Sequence, residues 1–294
     1  MQTKRVIFGN RLLPYLFLLP QLAITLIFFI WPAFQAFWQS FQREDAFGLS
    51  TQFVGADNYL ELIRDPKYLD SLWVTVIFSV SVAVASIVIS LVLALAANSM
   101  VRSARTYTTL LVWPYAVAPA VAGTLWWFIF NPTIGLMPYL LHGLGYDWNH
   151  SLSGTDAMIL VVLAATWKQI SYNFLFFLAG LQSVPQSLRE AAAIDGAGPV
   201  KRFFTIVFPL LSPTTFFLLV VNVVYALFDT FAVIHATTQG GPSQSTTILV
   251  YKVFQDGFIG LNLGSSGAQS VVLMAIVMVL TIIQFRWIER KVNY

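Results

Sequence analysis

Six apolar runs alternate with polar segments along the chain, and each run is long enough to cross a bilayer as a helix. They cover roughly residues 12–38, 72–98, 107–130, 157–181, 204–234 and 267–288. A helix rises about 1.5 Å per residue, so about 20 apolar residues cover a hydrocarbon layer roughly 30 Å thick. Backbone polar groups in lipid must be paired within the span itself. The pattern therefore predicts an all-α membrane protein with six transmembrane helices.

The composition agrees with this pattern and excludes several kinds of function. Of the 294 residues, 57% are hydrophobic and only 10% are charged, whereas soluble domains carry about 25% charged residues. The chain has no cysteine, so it forms no disulfide and no thiolate site. Its three histidines are scattered and its net charge is only +3, which predicts no metal site and no nucleic-acid partner. It contains no G-x-x-x-x-G-K-[ST] run, so we expect no P-loop nucleotide hydrolysis by this chain.

The distribution of basic residues predicts the orientation of the spans. Six spans place both termini on one side, and that side holds eleven Lys and Arg residues, at positions 4, 5, 11, 102, 105, 189, 201, 202, 286, 290 and 291. The opposite side holds four: Arg43, Arg64, Lys67 and Lys252. Because cytoplasmic segments are enriched in basic residues, both termini and the segment between spans four and five are expected in the cytoplasm.

The polar segment at residues 183–213 interrupts the second half of the chain and predicts two short helices. Ser187 and Glu190 have the S-x-x-E spacing of a capping box. The run Ala191–Ala193 favours helix without bulk, and Gly196 is expected to end the first piece in a turn. Small residues on a short helix indicate that another chain docks closely there. An ordinary cytoplasmic loop is the alternative.

Two ionisable side chains lie inside the apolar runs, Lys168 in the fourth and Asp229 in the fifth. Each costs on the order of 3 kcal/mol at the bilayer centre, so both are candidate residues of a solute pathway. Polar residues on the same or adjoining helix faces complete this candidate pathway: Tyr172, Asn173, Asn222 and Tyr225. A lipid-facing helix would not carry such stripes, so both faces are expected to line a bundle interior or a water-filled path.

Residue counting also predicts the relative depth of these side chains. Lys168 is expected roughly level with Asn222 and about 9 Å deeper than Asp229, so a direct ion pair would require staggered helices. Two interpretations of Lys168 remain open. It is either a cation that faces an anionic solute, or a charge neutralised by packing, a carboxylate or backbone carbonyls.

Two prolines, Pro114 and Pro119, interrupt the third span. Proline removes a backbone donor and breaks a helix, and broken helices are tolerated where they line a cavity or a neighbouring helix supplies partners. The two prolines are therefore a candidate gate, and a simple packing kink is the alternative.

Several of these residues together resemble the EAA loop of ABC importer permeases. That family has E-A-A, then Gly, then I-x-L-P after nine residues, and the positions that match here are Glu190, Ala191, Ala192, Gly196, Ile206 and Pro209. Phe208 replaces the usual Leu. The stretches FVGADNY, LVWPYAVAPAVAGTLW and GGPSQSTTILVYKVFQDGF resemble the sugar-type branch, although Met137-Pro138 stand where many relatives place an Asn. Over essentially its whole length the chain is similar to permeases of sn-glycerol-3-phosphate importers.

This resemblance implies a type I ABC importer permease fold with a cytoplasmic coupling helix that sits in a groove of an ATPase subunit. The implied coupling residues are Glu190, Ala191, Ala192, Asp195, Gly196 and Ala197. The implied partners are a second homologous permease, two ATP-binding subunits and an extracytoplasmic solute-binding protein, in the lipid of a bacterial cytoplasmic (inner) membrane. The permease itself would not be catalytic and would bind no cofactor, because ATP and Mg belong to the partner ATPase.

The expected organisation is an N-terminal span with the first outer loop at residues 1–71, and a transmembrane core at 72–288 that contains the coupling loop at 183–213. A cytoplasmic tail follows at 289–294.

The expected function is import of sn-glycerol-3-phosphate or glycerophosphodiesters. A neutral sugar or oligosaccharide is the alternative solute for the same kind of importer. An autonomous secondary transporter is the alternative from another class, but it would be marked by internal repeats or several buried carboxylates, and the spans show only Asp229. A membrane enzyme is disfavoured, because no paired acid–base or nucleophile constellation is present.

Overall fold

The computed structural model describes residues 13–45, 50–99 and 104–288, and most of them are helical. Within these residues, five helices are long and apolar enough to cross a membrane, and a sharply bent pair of shorter helices makes up to six spans. The prediction of an all-α membrane protein is therefore confirmed. The chain divides into two compact units, residues 1–64 with 253–272 and residues 65–252 with 273–294. The boundary expected at residue 71 stays a prediction, and the expected tail at 289–294 lies outside the described residues.

The first unit contains the N-terminal span and a small hairpin. Its elements are α1 (Leu13–Thr25), a π turn (Leu26–Ile30), α2 (Trp31–Gln39), β1 (Gln42–Glu44), β2 (Thr51–Phe53) and α3 (Asp57–Arg64). The strands are antiparallel, with Gln42 opposite Phe53. The Asn58 amide donates to the carbonyl oxygens of Ser40 and Gln42 at 2.8 and 2.9 Å, which fastens α3 to the end of α2.

The second unit carries most of the remaining helices. They are α4 (Pro66–Ser99), α5 (Ala104–Val112), a 3-10 turn (Trp113–Ala116), α6 (Pro119–Ile129), α7 (Leu136–Gly143), α8 (Gly154–Ser183), α9 (Gln186–Ile194), α10 (Pro199–Arg202), a π turn (Phe203–Val207), α11 (Phe208–Leu210), α12 (Ser212–Val224), a π turn (Tyr225–Asp229) and α13 (Phe231–Thr237). The last elements belong partly to each unit: α14 (Leu249–Phe254), a π turn (Gln255–Ile259), α15 (Leu263–Ile283) and a final π turn (Gln284–Ile288).

The two longest helices, α4 and α8, pack against each other through small residues. On α4 these buried residues recur at every third or fourth position and so share one face: Ala83, Ser86, Ser90, Ala94 and Ala97. Small side chains let membrane helices approach closely. Across this contact the Ser90 hydroxyl donates to the Ile170 carbonyl at 3.0 Å. The packing therefore fixes the part of α8 that carries Lys168.

The third span is broken, as its prolines predict. The helix ending at Ala116 and the helix Pro119–Ile129 are bent by 103°. Between them Val117 and Ala118 are extended, with ψ of 130° and 142°. A residue before proline is disfavoured in the helical region, and Pro119 has no N–H to continue the helix. The break therefore leaves backbone carbonyl groups at the carboxyl end of the first helix without helical partners.

The long segment between spans five and six, which the sequence pattern marks only as polar, is partly helical. It contains the helix Leu249–Phe254, whose residues Leu249, Tyr251 and Lys252 are buried. The backbone N–H of Leu249 donates to the Thr75 hydroxyl at 2.9 Å. A six-residue helix is too short to show a clear apolar period in the sequence, and this one is bonded to distant α4.

Candidate functional site

A cavity of about 480 Å³ lies between spans three, four and five. It is lined by Tyr115, Pro119, Lys168, Gln169, Tyr172, Val220, Val221, Val224, Tyr225 and Asp229. Four of the six predicted pathway residues therefore meet at one place, together with one of the two predicted gate prolines. Their roles in a solute path stay predictions, but the structure gives them a common surface.

Lys168 is held at the break of span three. Its ammonium donates to the Val117 carbonyl oxygen at 2.8 Å and reaches the Tyr115 carbonyl oxygen at 3.4 Å. The ammonium also lies 5.7 Å from the centre of the Tyr115 ring, within the range of a cation–π contact. A cation is favourable at the carboxyl end of a helix, where carbonyl dipoles point outward. The observed contacts are those of the second interpretation, a charge held by backbone carbonyls, while Lys168 also lines the cavity; that it faces an anionic solute stays a prediction.

Asp229 lines the same cavity but forms no ion pair with Lys168 among the described residues. It belongs to the π turn Tyr225–Asp229, which follows α12 directly. π turns inside helices are frequent at functional sites, because the extra residue re-aims the side chains around it. The turn brings the Tyr225 ring and the Asp229 carboxylate to one cavity wall.

The two remaining pathway candidates, Asn173 and Asn222, do not line this cavity. Their side-chain amides exchange two hydrogen bonds, at 3.1 and 3.0 Å, and both are fully buried. The pair joins α8 to α12 next to the cavity wall. Their assignment to the solute path stays a prediction, while their observed role is to hold two spans together.

This amide pair corrects the depths obtained by residue counting. Asn222 is level with Asn173 rather than with Lys168. Along its helix Lys168 lies about 7.5 Å from Asn173, and Asp229 about 10 Å from Asn222 on the same side. The two charges therefore differ in height by roughly 3 Å, not 9 Å. The count was wrong because a sequence does not fix the stagger between two packed helices.

The site prediction omitted two polar residues, Tyr115 and Gln169. Tyr115 follows Pro114 in the broken span, and its ring lies 6.1 Å from that of Tyr172. Gln169 is buried beside Lys168. The proline before Tyr115 was an available signal, whereas Gln169 is recognisable only once the orientation of α8 is known. The Tyr225 hydroxyl donates to the Ala165 carbonyl at 3.1 Å, so its ring is fixed.

The predicted coupling loop forms two short helices, Gln186–Ile194 and Pro199–Arg202, as expected. Gly196 ends the first helix with φ of +76°, a conformation that glycine adopts without strain. The N–H of Ala197 donates to the Ala192 carbonyl at 2.9 Å, and the N–H of Gly196 to that of Ala193 at 3.1 Å. These two bonds form a Schellman motif, which stops the helix sharply.

The capping box predicted from Ser187 and Glu190 is wrong. The helix begins after Pro185 without a side-chain cap. The Glu190 carboxylate instead accepts a hydrogen bond at 2.6 Å from the Gln186 amide. Pro185 sets the helix start by its restricted backbone, which moves Ser187 inside the first turn.

The helix Gln186–Ile194 is fully described and has no buried residue. Apolar side chains stand open to solvent on it and just beyond it: Leu188 is 46% exposed, Ile194 87% and Val200 69%. Of the predicted coupling residues, Ala192 and Ala197 are half-buried and the others are exposed. A polar loop that leaves such apolar groups uncovered has the features of a docking surface.

The segment before span four is organised by the buried carboxylate of Asp156. It accepts hydrogen bonds from the Tyr146 hydroxyl at 2.6 Å and from the Asn149 N–H at 2.9 Å. The bond to Asp156 raises the pKa of the Tyr146 hydroxyl. Burial lowers the pKa of His150, and the Phe130 carbonyl and Asp156 carboxylate oppose that effect. This direction of shift predicts that protonation of His150 is coupled to the folding of the segment before span four.

Comparison with known proteins gives the same assignment as the EAA motif. The family described as "Binding-protein-dependent transport system inner membrane component" matches residues 64–294. A relative named sn-glycerol-3-phosphate transport system permease protein UgpA, from Pectobacterium atrosepticum, is 60% identical over 294 residues and 100% of both chains. The protein of that name from Rhizobium meliloti is 60% identical over 99% of both chains. The one from Escherichia coli is 58% identical over 100% of both.

Solved structures show the same fold. A bacterial ABC transporter involved in the import of the acidic polysaccharide alginate superposes with a TM-score of 0.81, at 20% identity and with 95% of both chains covered. The MetNI methionine ABC transporter gives a TM-score of 0.54 at 16% identity, with 76% of this chain and 96% of that chain covered. The match over residues 64–294 and the full-length relatives show that this chain belongs to the family of binding-protein-dependent transport system inner membrane components.

Proposed function

We propose that this chain is the transmembrane permease subunit of an ATP-driven, binding-protein-dependent importer of sn-glycerol-3-phosphate or glycerophosphodiesters. The observation that carries the proposal is identity of 60% over the full length of permeases named for sn-glycerol-3-phosphate transport. The match extends over the whole chain, so it includes the segments that carry the cavity-lining residues and the coupling loop and does not rest on one motif.

The proposed assembly contains a second, homologous permease, two ATP-binding subunits and an extracytoplasmic solute-binding protein. One solved relative of the same fold is in complex with an alginate pentasaccharide-bound periplasmic protein, which supports a binding-protein partner. The chain has no P-loop motif, so the partner subunits would bind ATP and Mg and would hydrolyse the ATP. Both termini would lie in the cytoplasm, as the distribution of basic residues predicts.

The helix Gln186–Ile194 would be the contact with the ATPase subunit. Ala191 and Ala192 would let it sit close to a groove, and Glu190 and Asp195 would supply polar contacts at its edge. Supporting observations are its complete lack of buried residues and the exposed side chain of Ile194. Closure of the ATPase dimer would move this helix and, through α10 to α12, the cavity wall.

The 480 Å³ cavity would be part of the solute path. Its volume suits a solute of a few carbon atoms plus a phosphate group, since small-molecule sites span about 300–1,000 Å³. Lys168 would attract the phosphate, and the hydroxyl and amide groups of Tyr172 and Gln169 would receive the glycerol hydroxyls. Pro119 at the cavity edge would let this wall move as a gate.

A neutral sugar is the second candidate solute, and one observation favours it. The cavity holds one cation, Lys168, and one carboxylate, Asp229, so its formal charge is zero among the described lining residues. Three tyrosines also line it, and aromatic faces commonly bind sugar rings. A phosphate would therefore have to bind at the Lys168 side of the cavity, away from Asp229.

The proposal is tested by reconstituting the assembly with its partner subunits and measuring ATP hydrolysis stimulated by the binding protein. Binding protein loaded with sn-glycerol-3-phosphate or a glycerophosphodiester is expected to stimulate hydrolysis severalfold over empty binding protein. Stimulation by a neutral sugar alone would assign the second solute class. Solute uptake that needs neither ATP nor binding protein would instead indicate a secondary transporter.

A further inference from the structure

The ammonium of Lys168 has three donors, and two of them are directed at the broken span. They meet the carbonyl oxygens of Val117 at 2.8 Å and Tyr115 at 3.4 Å. Within the described part of the chain no carboxylate lies in ion-pair distance of this ammonium. The direct contacts of the ammonium are with peptide carbonyl dipoles and the Tyr115 ring, while the Asp229 carboxylate acts on it from the same cavity without forming an ion pair.

These carbonyl groups have few other possible donors. In a continuous helix the Tyr115 carbonyl would accept from the N–H of residue 119, but Pro119 has none. The extended residues Val117 and Ala118 then turn the chain by 103°. Lys168 on α8 therefore supplies the hydrogen-bond donor that the carbonyl groups at this bend do not find within span three.

Asp229 faces Lys168 across the cavity at nearly the same height, without forming an ion pair. Without other contacts, the Lys168 ammonium would be drawn towards the Asp229 carboxylate by Coulomb attraction. The carbonyl oxygens hold it at the bend instead. The observed position of the ammonium is therefore next to the backbone of span three, although a carboxylate lines the same cavity.

We propose that Lys168 exchanges acceptors during transport. The carbonyl oxygens of Tyr115 and Val117 hold its ammonium while the cavity is empty, and the anionic group of the solute takes it when the cavity fills. Solute arrival then releases the bend in span three and frees that wall to move. This inference rests on the proposed function, because it requires an anionic solute.

The relative strength of the two kinds of hydrogen bond favours this exchange. Both bonds have the charged ammonium as donor, but a phosphate oxygen also carries negative charge and therefore adds a Coulomb attraction that a neutral carbonyl lacks. A neutral polyol offers no such gain over a peptide carbonyl, so it does not release the bend. Because binding and conformation are linked reciprocally, the same exchange makes affinity for the anion depend on the state of span three.

The chain contains no cysteine, so a single cysteine is an unambiguous probe of the bend. Ala118 is exposed at the bend and does not line the cavity. We would place Ala118→Cys in the complete assembly, in lipid nanodiscs with cysteine-free partners, and measure its reaction rate with a water-soluble thiol reagent. Free sn-glycerol-3-phosphate is the anionic probe and glycerol its neutral counterpart. Leu152→Cys, 81% exposed and distant in sequence from the bend, reports general changes in reactivity.

In the Ala118→Cys assembly, sn-glycerol-3-phosphate is expected to raise the thiol reaction rate roughly tenfold, because the bend loses one hydrogen bond to a charged group. Glycerol is expected to leave the rate unchanged. Adding Lys168→Met should give the fast rate without solute and abolish the response. Lys168→Arg, which keeps the charge and the donors, should retain a response. Cysteine at position 152 should react equally in all backgrounds.

Two results overturn the exchange. One is a slow thiol reaction rate in Ala118→Cys with Lys168→Met, equal to the rate of Ala118→Cys alone, when no solute is present. This measurement uses no solute, so its outcome does not depend on the proposed function. The other is a rate in the parent that does not respond to sn-glycerol-3-phosphate. ATP hydrolysis stimulated by loaded binding protein is measured in the same preparation. If stimulation is present while the rate is unresponsive, the exchange fails and the proposed function stands; if stimulation is absent, both fail.

Discussion

Asn173 and Asn222 are joined by two side-chain hydrogen bonds of 3.1 and 3.0 Å, inside the bundle between α8 and α12. The Asn222 amide nitrogen also donates to the Leu218 carbonyl at 2.6 Å. Because the pair is fully buried, the side-chain bonds of Asn173 in this pair are both to Asn222, whereas Asn222 has the Leu218 carbonyl as a further partner. The relative height of Lys168 and Asp229, and hence the shape of the cavity, follows from this one contact.

Breaking the amide pair is expected to destabilise the folded protein by about 1 kcal/mol in its free energy of unfolding. Asn222→Leu should cost more than Asn173→Leu, because Asn173 then loses both bonds, whereas Asn222 without Asn173 keeps its bond to Leu218. The double replacement should cost less than the sum of the two. Thermal unfolding of the purified protein in detergent measures all three, and strictly additive losses would show that the pair does not couple the helices.

The turn at Gly196 predicts a difference between two neighbouring glycines. A Cβ would find open space at both Gly196 and Gly198, but only Gly196 has a positive φ, of +76°. Gly196→Ala should therefore strain the end of the coupling helix by roughly 1–2 kcal/mol, while Gly198→Ala is neutral. The expected result is loss of binding-protein-stimulated ATP hydrolysis in Gly196→Ala, with unchanged membrane insertion. Equal activity of the two variants would remove the turn from the coupling mechanism.

The exposed side chain of Ile194 predicts the contact surface for the ATPase subunit. Ile194→Lys puts a charge where an apolar group is 87% exposed, and co-purification of the ATPase subunit is expected to fall severalfold. Leu152→Lys is the matched control, because Leu152 is 81% exposed in the segment before span four. Loss of the ATPase from both variants would indicate misfolding, and loss from neither would place the contact elsewhere.

His150 predicts how stability depends on pH. Burial lowers its pKa in the folded protein below the unfolded value of about 6.5. The unfolded chain therefore binds more protons between the two values, so the free energy of unfolding falls as pH drops below about 6.5. Melting temperatures between pH 7.5 and 5.5 should fall less in His150→Gln than in the parent. Identical slopes in the two proteins would contradict the prediction.

The sequence predicts the features that depend on local chemistry. Long apolar runs define the spans, because backbone N–H and C=O groups in lipid find no water and pair with one another within a helix. Pro119 predicts the break in span three, since it removes a donor wherever it lies. Gly196 predicts the sharp end of the coupling helix, because that turn requires a positive φ.

The features that depend on how distant helices meet could not be predicted. The height of Lys168 relative to Asp229 is set by the stagger of α8 and α12, which no residue count contains. The helix Leu249–Phe254 is stabilised by burial and by a bond to Thr75, 174 residues away. The bond from Lys168 to Val117 requires the bend of one span to face a particular side of another. These are tertiary relationships, and the types of the residues alone do not determine them.

The most direct test of the central claim is uptake of radiolabelled sn-glycerol-3-phosphate by proteoliposomes. They would contain the complete assembly, with ATP inside and the binding protein outside. We predict accumulation that requires both ATP and binding protein and that is lost when the ATP is replaced by a non-hydrolysable analogue. Uptake that continues without ATP, or an assembly that imports a neutral sugar and no sn-glycerol-3-phosphate, would contradict the account.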